Sequence, residues 1–192
     1  MSRSTREVEV KLRFDSAEQA RSRFEPLGLR LAQARHFEDN VVYDREHEPL
    51  VAAGKLLRLR TRGDTSIVTY KAPIAGTHRH KVREEHESIV LDAGAVERIL
   101  AGLGFRPVYR YQKYRTLYER EGLHLCLDET PIGCFVELEG SPGAIDRAAR
   151  ELGVAPDEYV LLTYRELHER DARERGVEPG DLVFDGGAGN RR

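Results

Sequence analysis

No run of about 18 apolar residues occurs in the 192-residue chain, so the sequence offers no membrane-spanning helix. The first residues, Met1-Ser2-Arg3-Ser4-Thr5-Arg6, lead straight into a charged strand pattern and lack the apolar core of a secretory leader. Neither sign of charge is in excess: 31 Lys and Arg face 33 Asp and Glu, a net charge of −2. That balance argues against a protein that coats nucleic acid by bulk charge. Cysteine is scarce. Cys126 and Cys134 are the only two, which suits free thiols in a reducing cytoplasm, although strands carrying them as neighbours make a cross-strand bridge conceivable. No Cys/His spacing fits a zinc site, and His78, His80 and His86 read as surface histidines.

What the chain has instead is alternation. Glu7-Val8-Glu9-Val10-Lys11-Leu12-Arg13-Phe14 puts apolar residues on one face of a strand and charges on the other. Ser16 reads as the N-cap of a helix running to about residue 27 and stopped by Gly28. Extended stretches follow over 29–44, 55–62, 66–71 and 79–90, the middle pair joined by Gly63-Asp64. Asp92 caps a second helix over 93–103, and strands follow over 105–119, 123–128 and 134–139. Ser141-Pro142 opens a third helix and Thr163 a last one, ending near residue 175. The expected organisation is one α+β domain over 1–175, followed by a flexible tail over 176–192.

The charged faces carry a sign order. Acids dominate the first and last strands: Glu7, Glu9, then Glu137 and Glu139. Bases dominate the middle: Arg58, Arg60, Lys71, then Lys113 and Arg115. An open sheet with one solvated face is the plain explanation. A sheet closed into a barrel with a charged lumen is the sharper one, since about eight strands leave room for a small ligand. Converging Arg and Lys suit a polyanion. Carboxylates facing the same polyanion need a hard cation between them, and Mg²⁺ or Mn²⁺ binds carboxylates together with phosphate oxygens.

These segments resemble the CYTH superfamily of triphosphate tunnel metalloenzymes. Glu7-x-Glu9-x-Lys11 matches its N-terminal signature. Leu57-Arg58-Leu59-Arg60, Tyr70-Lys71, Arg83-x-Glu85-x-Glu87, Lys113-x-Arg115, Asp128 and Phe135-Val136-Glu137-Leu138-Glu139 follow in family order. The stretches around Lys113, Asp128 and Phe135, with Thr163-Tyr164-Arg165-Glu166-Leu167, are most similar to class IV adenylyl cyclases. The resemblance implies a closed eight-stranded antiparallel tunnel barrel with flanking helices, often in a homodimer. It implies that Glu7, Glu9 and Glu137 hold Mg²⁺ or Mn²⁺, with Glu139 as a further ligand or support. It implies that Lys11, Arg58, Arg60, Lys71, Lys113 and Arg115 cradle a triphosphate, and that Arg83, Glu85 and Glu87 line the tunnel. Glu9, Lys113 and Asp128 become the catalytic candidates, Asp128 beside the metal or the reacting group. Tyr164 and Arg165 suit a substrate contact or a helix docked at the tunnel mouth.

Two reactions fit one such site. In a cyclase the ribose 3′-OH attacks the α-phosphorus and pyrophosphate leaves; in a triphosphatase water attacks the terminal phosphorus. A polyphosphate binder without turnover would gain little from the acids, and nucleic-acid binding is disfavoured by the neutral total. Phe37, Tyr43 and Tyr70 are the candidate walls for an organic group, although strand tyrosines usually serve packing.

Overall fold

The alternation of β1 (Arg6–Phe14) is realised in space: Val8, Val10, Leu12 and Phe14 are buried in an apolar layer, and Glu7, Glu9 and Lys11 point the other way. Seven further strands share this design: β2 (Arg30–Asp44), β3 (Leu56–Arg62), β4 (Thr65–Pro73), β5 (Lys81–Val90), β6 (Arg106–Arg120), β7 (Leu123–Thr130) and β8 (Gly133–Gly140). The computed structural model describes residues 6–76 and 79–185. In it the eight strands close into an antiparallel barrel in the order β1-β5-β4-β3-β2-β6-β7-β8. Closure turns one face of every strand into a lumen. The α+β fold with a tunnel barrel is therefore the fold of this chain.

The apolar outer faces need cover, and the helices supply it. Helix α1 (Ala17–Ser22) starts at Ser16, whose hydroxyl accepts from the Gln19 N–H. It is shorter than expected, and a 3-10 turn over Glu25–Leu27 completes the segment. Pro26 is the reason, because it removes a helical N–H and disfavours helix at the residue before it. Helix α2 (Ala93–Gly102) is capped by Asp92 and lays Leu100 on Val41, Tyr43 and Leu59. Helix α3 (Pro142–Glu151), capped by Ser141, buries Ala144, Ile145, Ala148 and Ala149 against the outer faces of β1, β7 and β8. Helix α4 (Tyr164–Arg175) has a reciprocal cap between Thr163 and Glu166. No helix among the described residues is long and apolar enough to cross a membrane.

Two seams at one end of the barrel are closed by chain outside the eight strands. Beyond Glu9, β1 leaves β5, and the Lys11 backbone pairs with Val160 instead (N–O distances 3.1 and 2.9 Å). The start of β6 extends past β7, and there Leu182 pairs with Arg110 and Gln112 (2.9 and 2.8 Å). Leu182 is buried with Tyr111, Tyr164 and Leu167, and Phe184 stacks near Tyr114. Asp181–Phe184, within the stretch expected as a flexible tail, is held as a strap by β6 backbone that β7 leaves unpaired and by an apolar slot. The rest of that expectation, 186–192, lies outside the described residues, as does His78.

The two cysteines are free thiols, as their scarcity suggested, and form no bridge. Cys126 opposes Glu137 on the inner face, whereas Cys134 opposes Glu129 on the outer face. Burial pushes the Cys126 thiol up to about 12 and the Cys134 thiol up to about 11. Ile145 is fully buried and Leu91 fully exposed. Ile145→Ala should therefore cost about 2–5 kcal/mol in urea unfolding, and Leu91→Ala less than about 0.5 kcal/mol. Equal effects would place the α3 contact outside the core.

Candidate active site

Strand register decides which side chains meet in the lumen. Directly paired residues share a face, so Glu7↔Arg83 and Glu9↔Lys81 set β1 and β5, and Lys71↔Glu85 and Thr69↔Glu87 set β4. Arg58↔Thr69, Arg58↔Val42 and Arg60↔Asn40 carry the same face to β3 and β2. Glu38↔Lys113, Arg115↔Asp128, Cys126↔Glu137 and Lys11↔Glu137 complete the ring. Every candidate metal or phosphate residue named from the sequence thus lies on one inner surface. All of them except Asp128 line a cavity of about 1020 Å³.

The interior is a lattice of ion pairs. Lys71 Nζ donates to Glu7 Oε1 at 2.6 Å and lies 2.9 Å from Glu85. Arg83 reaches both Glu7 (3.2 Å) and Glu9 (2.9 Å). Lys11 sits 3.6 Å from Glu9 and 3.2 Å from Glu137. Arg58 donates to Tyr111 Oη, Thr69 Oγ1 and Glu87. Arg60 donates to Asn40 and Glu38. Arg115 makes two 2.6 Å bonds to Asp128 and a very short one to Glu137. Burial acts to raise the Glu9 and Glu137 carboxyls, but Lys11 beside both, with Arg83 and Arg115, holds them well below the usual range.

Asp128 shares the inner face with Arg115. It is fully buried, and Lys113 Nζ (2.8 Å), the Arg115 fork and Tyr164 Oη (2.7 Å) donate to its oxygens. Three of these contacts fall on Oδ2 and one on Oδ1, and together they fix Lys113 and Arg115 in direction. Tyr164 lines the same cavity. Its ring lies 5.2 Å from Lys11 Nζ and 5.1 Å from Lys113 Nζ, and it packs on Phe135, so the start of α4 docks into the end of the barrel.

The candidate walls Phe37, Tyr43 and Tyr70 are corrected. All three have outward parity: Phe37 packs on Tyr114, Tyr43 lies in the α2 core, and Tyr70 stacks near His86. Sequence reasoning also passed over Glu38, which sits between Arg60 and Lys113. It gave no role to Lys81, whose ammonium burial and the nearby Lys11 and Arg83 push down to about 7. The shared parity of Lys81 with Arg83 was the available signal; Glu38 lies in an irregular part of β2 with register shifts at Leu31, Gln33 and His36.

The carboxylates at the β1–β8 end suit a hard cation. Glu139 makes no ion pair among the described residues, and water in the tunnel reaches it. Packing around its carboxyl, with Glu7, Glu85 and Glu9 facing it, pushes it up to about 7. Glu7 Oε2 is buried without a hydrogen-bond donor. Among the described residues no three acidic, His or Cys side chains converge tightly enough to cage an ion. That donor set fits a hard divalent cation held by one or two carboxylates, with the rest of its shell completed by water and phosphate oxygens.

Glu38 gives a pH signature. Burial raises its carboxyl, but Arg60, Lys113 and Arg115 outweigh that and hold it well below the usual range. A carboxyl depressed by folding contributes stability that is full above its unfolded value near 4.3 and is lost as pH falls through the folded value. Urea midpoints of the wild type should therefore fall more steeply below about pH 4.3 than those of Glu38→Gln. At neutral pH that variant should lose about 3–5 kcal/mol, because Lys113 and Arg60 lose their partner. Parallel pH profiles would contradict the assignment.

Comparisons with known proteins agree with this geometry. The chain is 27% identical over 172 residues to a Methanocaldococcus jannaschii protein named "putative adenylate cyclase", covering 84% of this chain and 97% of that one. A Vibrio parahaemolyticus crystal structure, also described as a putative adenylate cyclase, superposes with a TM-score of 0.72 at 18% identity, covering 84% of this chain and 96% of that one. A Hippeastrum protein, described as a putative adenylyl cyclase with a dominant triphosphatase activity, has a TM-score of 0.57 at 18% identity, covering 90% and 97%. The CYTH domain model matches residues 5–164, and the chain belongs to the CYTH family.

Proposed function

We propose that this protein is a metal-dependent enzyme that binds a triphosphate inside the barrel and acts as a class IV adenylyl cyclase, converting ATP to cyclic AMP and pyrophosphate. The observation that carries this reading is the convergence of cations and carboxylates on one enclosed surface. Lys11, Arg58, Arg60, Lys71, Arg83, Lys113 and Arg115 form the phosphate cradle. Glu7, Glu9, Glu137 and Glu139 are the oxygen donors for Mg²⁺ or Mn²⁺. When bound, the divalent cation neutralises phosphate charge and stabilises the charge that develops in the transition state.

Ion-pair exchange describes how the chain's own residues work. Each cradle cation already holds a carboxylate. A bare triphosphate would have to displace those acids against their repulsion. With a divalent cation, the acids gain a partner while Arg and Lys turn to phosphate oxygens. Glu9 sits between Lys11 and Arg83 at this exchange point. Lys113 is aimed by Asp128, so Asp128 is a positioning residue. In the cyclase reaction the ribose 3′-OH forms the new P–O bond at the α-phosphorus, the α–β bond breaks, and the 3′-OH proton leaves to a base or to solvent. The homologue named as an adenylate cyclase supports this branch. A triphosphatase using the same cradle is the second reading, supported by the activity stated for the Hippeastrum protein. Thiamine, inorganic and nucleoside triphosphates are its candidate substrates.

Incubation with ATP, tripolyphosphate and thiamine triphosphate, each with Mg²⁺ or Mn²⁺, followed by product chromatography, tests the proposal. Cyclic AMP with pyrophosphate is the expected outcome; orthophosphate without cyclic nucleotide selects the triphosphatase, and no turnover contradicts both. Chelation with EDTA should abolish activity. Glu9→Gln should lower kcat by about 100-fold or more. Arg58→Ala should mainly raise KM, by about 10- to 100-fold, as expected for a lost charged hydrogen bond of about 1.5–3 kcal/mol. Full activity in Glu7→Gln/Glu9→Gln would remove the metal assignment.

A further inference from the structure

Three tyrosines form a row along β6 and the start of α4. Ring centroids are 6.0 Å apart from Tyr109 to Tyr111, and again from Tyr111 to Tyr164. Two of the three hydroxyls are spent on structure. Tyr164 Oη donates to Asp128, and Tyr109 Oη bonds His168 Nδ1 at 3.2 Å. Tyr111 Oη instead accepts from Arg58 at 3.0 Å, and its own hydrogen has no acceptor among the described residues. The side chain is only 7% exposed, yet it lines the tunnel cavity beside Arg58, Arg60 and Lys113. A buried donor without an acceptor is costly to keep. At a cavity wall it is open to a ligand that brings the acceptor.

This hydroxyl is held still. Its ring lies between two other rings, and the Leu182 strap pairs with the backbone on either side of it, at Arg110 and Gln112 (2.9 and 2.8 Å). The charged groups that face it are Arg58 and Arg60 from β3 and Lys113 from β6. Tyr109 and Tyr164 are its titratable neighbours, and the residue opposite on β2 is the uncharged Asn40. Burial opposes ionisation of the phenol, but Arg58, Lys113 and Arg60 outweigh it and hold Tyr111 below its ordinary value. Burial pushes Tyr109 and Tyr164 the other way. A more acidic O–H is the stronger donor to an anionic oxygen. The neighbouring cations must also exchange a carboxylate for phosphate, whereas this donor is already free.

We propose that Tyr111 is a catalytic residue, whose hydroxyl donates a hydrogen bond to the leaving phosphate oxygen as that oxygen takes up charge. The inference rests on the triphosphate site proposed above and holds for both reactions. In the cyclase, the bond from the α-phosphorus to its bridging oxygen breaks, and the electron pair goes to that oxygen of pyrophosphate. In the triphosphatase, the bond from the terminal phosphorus to its bridging oxygen breaks, and the pair goes to the diphosphate end. The phenol keeps its proton in either case. Because the bond is stronger in the transition state than in the bound substrate, it raises kcat more than it lowers KM.

Tyr111→Phe keeps the ring and removes only the donor. Assayed with ATP, tripolyphosphate and thiamine triphosphate, it should lower kcat about 100-fold, as for one lost oxyanion donor. KM should stay within about threefold. A hydroxyl that only props Arg58 predicts the opposite split, a raised KM with kcat kept, and that result overturns the proposal. Donation needs a protonated phenol, so wild-type kcat should fall as alkaline pH ionises it. Incorporation of difluorotyrosine at position 111, a more acidic phenol, should carry that limb to lower pH. A limb that neither replacement moves belongs to another group, such as Lys81, and also overturns the proposal. Tyrosinate absorbance, wild type minus Tyr111→Phe, gives a readout independent of turnover. Saturating tripolyphosphate with Mg²⁺ should delay the Tyr111 phenolate to higher pH. Its appearance at one pH with and without bound tripolyphosphate means no contact. If the wild type neither binds nor turns over any of the three triphosphates, the triphosphate site itself fails.

Discussion

Cations enclosed in a barrel repel one another and lose their water, so they persist only beside carboxylates. Across the middle of this tunnel Lys11, Arg58, Arg60, Lys71, Lys81, Arg83, Lys113 and Arg115 are matched by Glu7, Glu9, Glu38, Glu85, Glu87, Asp128, Glu137 and Glu139. The match constrains everything else. It requires closure, because an open charged face would be solvated and would not need paired register. It requires the outer apolar faces to supply the folding energy, which α1, α2 and α3 collect. It also leaves an interior whose charges can be re-partnered by a ligand bringing both signs, a polyphosphate with its divalent cation.

The lattice is uneven, and the unevenness has functional content. Asp128 and Glu38 are buried, and they hold Lys113, Arg115 and Arg60 in fixed directions. Glu7 and Glu139, at the other side of the lumen, are undersatisfied. Rigid cations thus face Glu139, which makes no ion pair among the described residues, an arrangement that suits the proposed phosphate and cation sides. Docking of Tyr164 on Asp128, and the Leu182 strap on β6, tie the last part of the chain to the rigid side.

Strand parity was legible in the sequence because one face of each strand is apolar and the other charged. The inner positions of β1, β3, β4, β5 and β8 follow from it directly. Closure was not legible from parity, since a solvated open sheet has the same pattern; the resemblance supplied it. Burial depth was also hidden. Asp128 reads like any inner acid until the register places Lys113, Arg115 and Tyr164 around it. Phe37, Tyr43 and Tyr70 failed as walls because their parity relative to Arg58 and Lys71 turns them outward. The strap was not legible: Leu182-Val183-Phe184 is an apolar run of three between Asp181 and Asp185, too short to mark an element, and its partner is an unpaired backbone edge that only the assembled barrel creates.

The central claim is that the triphosphate and the divalent cation enter as a unit, because neither alone can re-partner a balanced interior. Titration of tripolyphosphate into the metal-stripped protein, with and without Mn²⁺, tests this most directly. The account predicts that tripolyphosphate affinity rises steeply with Mn²⁺ and that Glu7→Gln/Glu9→Gln abolishes the rise. Equal, tight binding without any divalent cation would contradict it, and would mean that the cations of the tunnel are free for phosphate in spite of the carboxylates beside them.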